Sequence, residues 1–291
     1  MLSNPAGASL GAPTAANIII TDNDTNTGPN PIDDAGFFVR QHYIDFLNRE
    51  PDQSGLNFWT NTISSCGSDQ QCIDVKRINA SAAFFISIEF QQTGYLVERI
   101  YKSAYGNISG APVPVRLNEF LPDTQEIGQG IVVGQTGWET QLENNKQAFT
   151  LEFVQRSRFT SAYPTTMTPA QFVDKLFSNA GVTPGSADRN LAIAEFGSVT
   201  TTGDVSARSR ALRDVAENAT LNAQEFNKAF VLMQYFGYLR RNPNDAPEST
   251  LDYSGFNFWL GKLNQFNGDY IGAEMVKAFI NSDEYRHRFG P

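Results

Sequence analysis

The sequence is 291 residues long, with 41% hydrophobic and 18% charged residues, which is the composition of one or two globular domains rather than of a disordered chain. Its formal net charge of −9 argues against binding to nucleic-acid phosphates, which needs clustered lysine and arginine, and against anionic membrane surfaces likewise. No apolar run comes near the roughly 18–20 residues of a membrane span, so we expect no membrane insertion. The first residues also lack the basic start and apolar core of a signal peptide, so an exported protein would here lack its leader.

Residues 1–24 differ in composition from the rest of the chain. They are rich in glycine, alanine, proline and serine, and the β-branched run Ile18, Ile19 and Ile20 follows, before Asp22 and Asp24. Such a run bounded by turn-forming residues predicts a strand, which would form a short N-terminal β arm. Because one strand cannot satisfy its own backbone groups, the arm needs a sheet to join.

This N-terminal stretch resembles the last hairpin of a Calx-beta domain, of which only the tail is present. The resemblance implies that Asp22 and Asp24 lie near a calcium-binding end. Two fates of the strand stay open. It either completes a sheet in a neighbouring copy, which would drive self-assembly, or it belongs to the rest of its own truncated domain or is disordered.

Residues 25–34 contain two prolines and a glycine among polar residues and predict a linker, after which Asp33 or Asp34 is expected to cap the first helix. Helical periodicity then extends from residue 35 to residue 291. A large apolar residue followed by valine, with an aromatic residue five positions after the first, starts near residues 38, 96, 172 and 230. We interpret this recurrence as four related helix-turn-helix units around an aromatic core. The glycine-rich stretch 122–137 is expected to break the helical pattern, with residues 131–133 as a short extended segment.

One motif occurs twice. Residues 49–59 include Arg-Glu-Pro-Asp and then SGLNFW, and residues 241–243 are followed, after an insert, by SGFNFW at residues 254–259. We predict that each copy forms a turn between two helices, with Trp59 or Trp259 packing the second helix onto the first. If Trp59, Trp138 and Trp259 were exposed instead, they would offer a sugar-stacking platform, so a carbohydrate ligand is the alternative.

Two cysteines, Cys66 and Cys72, stand six residues apart in a polar loop. They can close a small disulfide ring, remain free thiols, or contribute to a metal site, for which the two distant histidines give poor ligand spacing. The way in which proteins of different compartments use cysteine favours the disulfide, and a disulfide in turn indicates an oxidising compartment.

A calcium site is a further candidate, because acidic and amide side chains alternate up to Asp52 as in the first part of an EF-hand loop. The sixth and twelfth positions hold Gln53 and Trp59 instead of glycine and glutamate. We therefore interpret Asp52 as a helix cap after a turn that begins with Pro51, with calcium at Asp52 as the alternative.

No catalytic set is convincing in the sequence. Residues 7–11 match the G-x-S-x-G pattern of hydrolases, but no strand can precede them, and a hairpin turn explains them better. His42 lies beside the apolar stripe of the first helix and is interpreted as a boundary residue, and His287 as a solvated residue near the end of the chain. We predict that the protein is not an enzyme.

From about residue 37 to the C-terminus the chain resembles the bacterial domain-of-unknown-function family 4214. The resemblance is carried by REPD at 49–52, SGLNFW at 54–59, SAAFFISIEF at 81–90 and NKQAF at 145–149. Members of this family are large exported proteins, often with Calx-beta or RTX-type calcium repeats upstream, and are distantly similar to phycobilisome linker domains. No activity is established for the family, so the resemblance implies a compartment and no mechanism.

The expectation is therefore a mainly α-helical structural or interaction module of an exported bacterial surface protein, located outside the cell or on its surface. Its partner is another protein, which can be a second copy of itself joined through Ile18, Ile19 and Ile20. No cofactor is expected, with calcium as the open alternative.

Overall fold

The computed structural model describes residues 29–290, and over that range the chain is mainly α-helical and contains no β-strand. The helices are α1 (Ala35–Leu47), α2 (Gln53–Ser64), α3 (Gln70–Phe85), α4 (Ile88–Gln92), α5 (Gly94–Tyr105), α6 (Leu117–Gly128), α7 (Trp138–Phe153), α8 (Ser157–Ala162), α9 (Pro169–Ala180), α10 (Ser186–Ala194), α11 (Val205–Ala216), α12 (Ala219–Gln234), α13 (Ser254–Gln265), α14 (Met275–Ile280) and α15 (Asp283–His287). A 3-10 turn at Pro31–Asp33 precedes α1, and a π-helical turn at Tyr235–Leu239 follows α12. The predicted β arm, with Ile18, Ile19 and Ile20, lies outside the described residues.

Short polar side chains set the starts of many helices, because they bind the backbone N–H groups that the first turn leaves without partners. Asp34 Oδ1 accepts from the Phe37 N–H at 2.8 Å, and Asp52 Oδ1 accepts from the Gly55 N–H at 2.8 Å. Both caps are as predicted from the sequence. Of the two candidates for the first cap, Asp33 has a different role, since its carboxylate pairs with Arg286 at 2.7 Å.

Helix α5 is the centre of the fold. All of its residues from Gly94 to Ala104 are buried, and it packs against α9, α11 and α12. A helix that is buried on every side is normally apolar all round, but α5 carries ionisable groups. The Arg99 guanidinium is held by the Ala216 carbonyl at 2.8 Å and by Asn222 at 3.0 Å, which satisfies its charge inside the core.

An aromatic core joins the beginning of the described chain to its end. The ring of Phe46 in α1 lies 4.4 Å from Phe85, 5.9 Å from Phe90 and 5.1 Å from Tyr238, measured between centroids. Tyr238 also lies 5.3 Å from Tyr285 in α15. Because these contacts connect residues nearly two hundred positions apart, α1–α4 and α12–α15 share one packed interior.

The predicted break at residues 122–137 is wrong in its first part. Helix α6 continues through Pro122 to Gly128, and residues 131–133 form no strand. A proline at this position removes the backbone bond to the carbonyl of Asn118. Both residues are exposed, so water can take the place of the lost donor.

The four unit starts predicted near residues 38, 96, 172 and 230 fall within α1, α5, α9 and α12. The division into domains and units itself stays a prediction. Among residues 29–290, no helix has both the length and the apolar character that crossing a membrane requires.

Candidate functional site

The turn between α1 and α2 is built around Arg49. Asn48 ends α1 in the left-handed conformation, with a φ of 54°. The Arg49 guanidinium then binds the Glu89 carboxylate of α4 in a forked arrangement, with Nε to Oε1 at 2.8 Å and Nη2 to Oε2 at 2.9 Å. It also lies 5.0 Å above the ring of Tyr43. This pair ties the turn to α4, because a bidentate arginine–carboxylate contact fixes orientation as well as distance.

The same contacts recur at the other end of the chain. Arg240 takes a φ of 54°, and Arg241 binds Glu284 of α15 at 2.6 and 3.1 Å and lies 5.3 Å above the Tyr235 ring. We call α1–α4 the first motif, and α12 with α13–α15 the second motif. The sequence alone did not identify the two glutamates as the partners of these arginines.

Each copy contains a turn followed by the start of the second helix, as predicted: the turn precedes the tryptophan block, and the block itself lies inside α2 or α13. Trp59 and Trp259 are partly buried, at 6.5 Å from Phe84 and 5.6 Å from Phe279 between centroids, and so pack the second helix of each motif inward. The neighbouring Phe58 and Phe258 are each 61% exposed.

The glycine of each block has a steric role. A Cβ on Gly55 would overlap the Tyr43 hydroxyl, and one on Gly255 would lie 2.8 Å from the Tyr235 hydroxyl. Any side chain at either glycine would displace the tyrosine hydroxyl from its contact with the second helix. The glycine therefore allows the close contact between the first two helices of each motif.

A groove opens beside the first motif. Its first cavity, of about 380 Å³, lies between the end of α1, the start of α2 and α4, and is lined in part by Tyr43, Arg49, Trp59, Phe84, Ile88 and Val133. A second cavity of about 720 Å³ shares Leu47 and Arg49 with the first and extends along the loop after α6. A third, of about 280 Å³, shares Ile88 and includes Trp138. We call these adjoining cavities the α4 groove.

The charged side chains in the first cavity of the α4 groove are bound to neighbouring groups. Glu89 is held by Arg49, while Asp52 accepts from Ser54 and from the Gly55 N–H and lies 3.9 Å from Arg49. The apolar side chains are open by comparison, since Ile88 is 57% exposed and Val133 is 37% exposed. The groove therefore offers apolar surface to a ligand, and the charges of its first cavity, on Arg49, Asp52 and Glu89, are already paired.

The second motif is acidic at the equivalent place. Asp283 stands at the first position of α15, where α4 has Ile88. The inserted loop after Arg241 brings a Glu248 carboxylate oxygen to 3.1 Å from the point that a Cβ on Gly255 would occupy, as Asp52 does at Gly55. The exposed isoleucine is thus a property of the first motif and not of the shared scaffold.

The calcium candidates have separate outcomes. Asp52 serves as the predicted helix cap, and its pKa is held below its usual range chiefly by the hydrogen bond from Ser54 and then by the Gly55 N–H. Asp22 and Asp24 lie outside the described residues. Within the described part of the chain, no three or more His, Cys, Asp or Glu side chains gather as a set of metal ligands.

His42 is in the core, so its interpretation as a boundary residue is wrong. Its Nδ1 lies 2.8 Å from the Phe38 carbonyl oxygen and its Nε2 lies 2.8 Å from Ser81 Oγ, which also contacts the Tyr238 hydroxyl. Burial lowers the pKa of His42 to about 3. A serine next to a histidine resembles a nucleophile and its base, but both side chains are buried, and a substrate cannot reach them. His287 is exposed, as predicted.

The two cysteines are joined: Cys66 and Cys72 form a disulfide with their Cα atoms 5.6 Å apart. The bond closes the turn between α2 and α3, as the spacing predicted. The disulfide is compatible with an extracellular location.

A second cleft, of about 400 Å³, lies between α7 and α11 and contains Asp214 and Glu195. Burial, together with the neighbouring Glu195 and Glu217 carboxylates, raises the pKa of Asp214 to about 6. The arginines of this cleft are paired: Arg210 with Glu195, and Arg213 with Glu143 at 2.6 Å. The cleft is therefore a network of ion pairs between helices.

Comparison with known proteins relates part of the chain to a family. Residues 25–94 match the family described as Domain of unknown function (DUF4214). The match includes α1–α4, and so the whole first motif with Arg49, Trp59, Ile88 and Glu89. No curated protein and no solved structure matches the chain.

Proposed function

We propose that the protein is a non-catalytic interaction module of an exported bacterial surface protein, which assembles with other copies of itself through its N-terminal segment. The observation that carries this proposal is the α4 groove, in which ion pairs hold the scaffold together and apolar side chains remain exposed. An active site would instead direct its ionisable groups at a space where a substrate can react.

The two motifs provide an internal comparison for the groove. Asp283 in the first turn of α15 interacts favourably with the helix N-terminus, an effect of about 0.3–1 kcal/mol. Helix α4 lacks this contribution at Ile88 and exposes an aliphatic side chain instead. The first motif therefore exposes an apolar side chain where the second motif has a stabilising carboxylate. Such exposed apolar positions favour contact with a ligand that covers them.

The architecture supports a scaffold role as well. The recurrence of Tyr–Arg–Glu contacts in the first and second motifs favours the predicted repeat of helix-turn-helix units around an aromatic core. The similarity to the DUF4214 family and the disulfide favour export to the cell surface.

Light scattering of the full chain after size exclusion tests the proposal. The wild-type chain is expected to shift from monomer to larger species as its concentration rises. The triple variant Ile18→Ser, Ile19→Ser and Ile20→Ser is expected to stay monomeric over the same range. A wild-type chain that is monomeric at every concentration would contradict self-assembly.

A carbohydrate ligand is the second candidate, because Trp59 and Trp138 line two cavities that meet at Ile88. Indole faces stack on sugar rings, and partly buried tryptophans at a groove can present them. A glycan array with the full chain tests this candidate. Binding that is lost in Trp138→Ala and kept in Trp259→Ala would support it, and an array without hits would exclude it.

A further inference from the structure

We infer that the α4 groove is the acceptor for the aliphatic run Ile18-Ile19-Ile20 of a second copy of this chain. The inference rests on the proposed function and specifies the surface that the N-terminal segment binds. Among residues 29–290 the regular elements are all helical, so this range offers no β-sheet to which the segment could add as a strand. A segment that docks by its side chains needs an apolar groove instead of a strand edge.

The groove matches an uncharged aliphatic segment in chemistry. Ile88 and Val133 stand exposed at its rim, and Trp59 and Phe84 line the same cavity. Among the groove's carboxylates, Glu89 is already bound by Arg49. In the cavity that contains Trp59, Phe84 and Ile88, a charged segment would find no free counter-charge, whereas isoleucine side chains would cover exposed apolar surface.

The N-terminal segment has the complementary composition. Residues 1–21 contain no aspartate, glutamate, lysine or arginine and include the isoleucine run. Glu50 and Glu126, which line the part of the groove next to the loop after α6, would repel acidic residues, whereas the isoleucine run is uncharged and Asp22 and Asp24 stand only after it. The composition thus suits this site better than the acidic surface of the second motif.

The N-terminal segment joins the described fold at Asn30, and this point and the α4 groove lie at opposite ends of α1. Asn30 is fixed by hydrogen bonds to the carbonyl oxygens of Arg286 at 3.1 Å and Gly290 at 2.9 Å, beside the start of α1. The groove is at the other end of this helix, about 18 Å away at the rise of an α-helix. A donor at one end and an acceptor at the other produce a head-to-tail contact that can propagate along a row of copies.

The reach of the segment is sufficient for contact with a neighbouring copy. Ile20 precedes Asn30 by ten residues, which span at most roughly 33 Å when extended. Pro29, near the end of this stretch, favours an extended conformation at the residue before it. The isoleucines can therefore stand clear of their own copy.

The experiment uses two full-length variants, each with one half of the contact removed. The arm variant carries Ile18→Ser, Ile19→Ser and Ile20→Ser, and the groove variant carries Ile88→Asp. Aspartate is compatible with folding at this position, because α15 forms with Asp283 there. Ile271→Asp is the matched control, since Ile271 is 56% exposed and lies elsewhere on the surface.

Each variant alone is expected to weaken self-association by about tenfold or more, as loss of a central apolar anchor does, and Ile271→Asp is expected to associate like the wild type. An equimolar mixture of the arm and groove variants is expected to give a one-to-one complex and nothing longer, because only one functional donor and one functional acceptor remain. Sedimentation velocity distinguishes these species.

Two results would overturn the inference. If the groove variant associates like the wild type while the arm variant does not, the segment binds elsewhere and the proposed function survives. If the wild type is monomeric and hydrogen exchange at residues 129–137 becomes faster in the arm variant, the segment occupies the groove of its own copy. A monomeric wild type contradicts the proposed self-assembly whether or not that exchange change is seen.

Discussion

Gly237 lies directly against the ring of Phe46, so that the backbone of the π-helical turn after α12 contacts an aromatic ring of α1. The Gly237 carbonyl also accepts a hydrogen bond from Arg288 at 3.2 Å. This contact is where the first and second motifs meet, and it depends on the absence of a side chain.

Gly237→Ala is therefore expected to destabilise the fold. A methyl group at this position would overlap the Phe46 ring, and relieving such overlap in a packed core costs about 1–3 kcal/mol. Chemical denaturation measures the loss. Gly261→Ala is the matched control, because a Cβ at Gly261 in α13 meets no atom within 4 Å, and alanine should stabilise that helix by about 0.5–1 kcal/mol. Equal effects at both positions would contradict the packing argument.

The forked pair Arg49–Glu89 is expected to be coupled more strongly than its counterpart Arg241–Glu284. The Glu89 side chain is 6% exposed and that of Glu284 is 28% exposed, so solvent screens the second pair more. Double-mutant cycles with alanine at each position should give a coupling of about 1–3 kcal/mol for the first pair and a smaller one for the second. Equal coupling would mean that burial does not determine the coupling free energies of these two pairs.

His42 is expected to make the fold less stable in acid. Burial lowers its pKa in the folded protein to about 3, below the ordinary value of 6.5. The unfolded chain therefore binds a proton below pH 6.5 while the folded chain does not, so this contribution is present above pH 6.5 and is lost as the pH falls towards 3. Between pH 7 and pH 5 the loss amounts to about 2 kcal/mol.

His42→Gln removes this titration and keeps a polar side chain next to Ser81. The difference in unfolding free energy between the wild type and His42→Gln should therefore shrink from pH 7 to pH 5, as measured by urea denaturation at each pH. Other acidic groups titrate equally in both proteins and cancel in the comparison. A difference that is independent of pH would show that the protonation of His42 does not differ between the folded and the unfolded chain in this pH range.

Several features of this fold follow from local sequence rules. Asp34 and Asp52 are caps because a short acidic side chain precedes each helix, and the spacing of Cys66 and Cys72 suits a small ring. These predictions need only neighbouring residues, and the structure confirms them.

Other features depend on residues far apart in the chain. The pairing of Arg49 with Glu89 requires knowledge of how α4 folds back on the turn, although both motifs repeat the arginine and the glutamate. His42 lies four residues from Phe38 and from Phe46 on one face of α1, a signal for burial that its polar character obscured. The α4 groove takes Val133 from the loop after α6, and no local pattern places that loop beside α4.

Glu98 is expected to act on stability in the opposite direction to His42. Burial in α5, followed by the neighbouring Glu225 carboxylate, raises the pKa of Glu98 above its ordinary value of 4.5. Neither carboxyl oxygen has a hydrogen-bond partner among the described residues. The folded protein therefore keeps this proton while the unfolded chain loses it above pH 4.5, so stability falls as the pH rises above that value.

Glu98→Gln removes the titration while preserving the shape of the side chain. Relative to the wild type, the variant should gain stability as the pH rises from 5 to 8, measured as the difference in urea midpoint at constant denaturant slope. Glu139→Gln, at an exposed position at the start of α7, controls for the general loss of a negative charge. If both variants respond to pH in the same way, the effect comes from net charge and not from the buried Glu98–Glu225 pair.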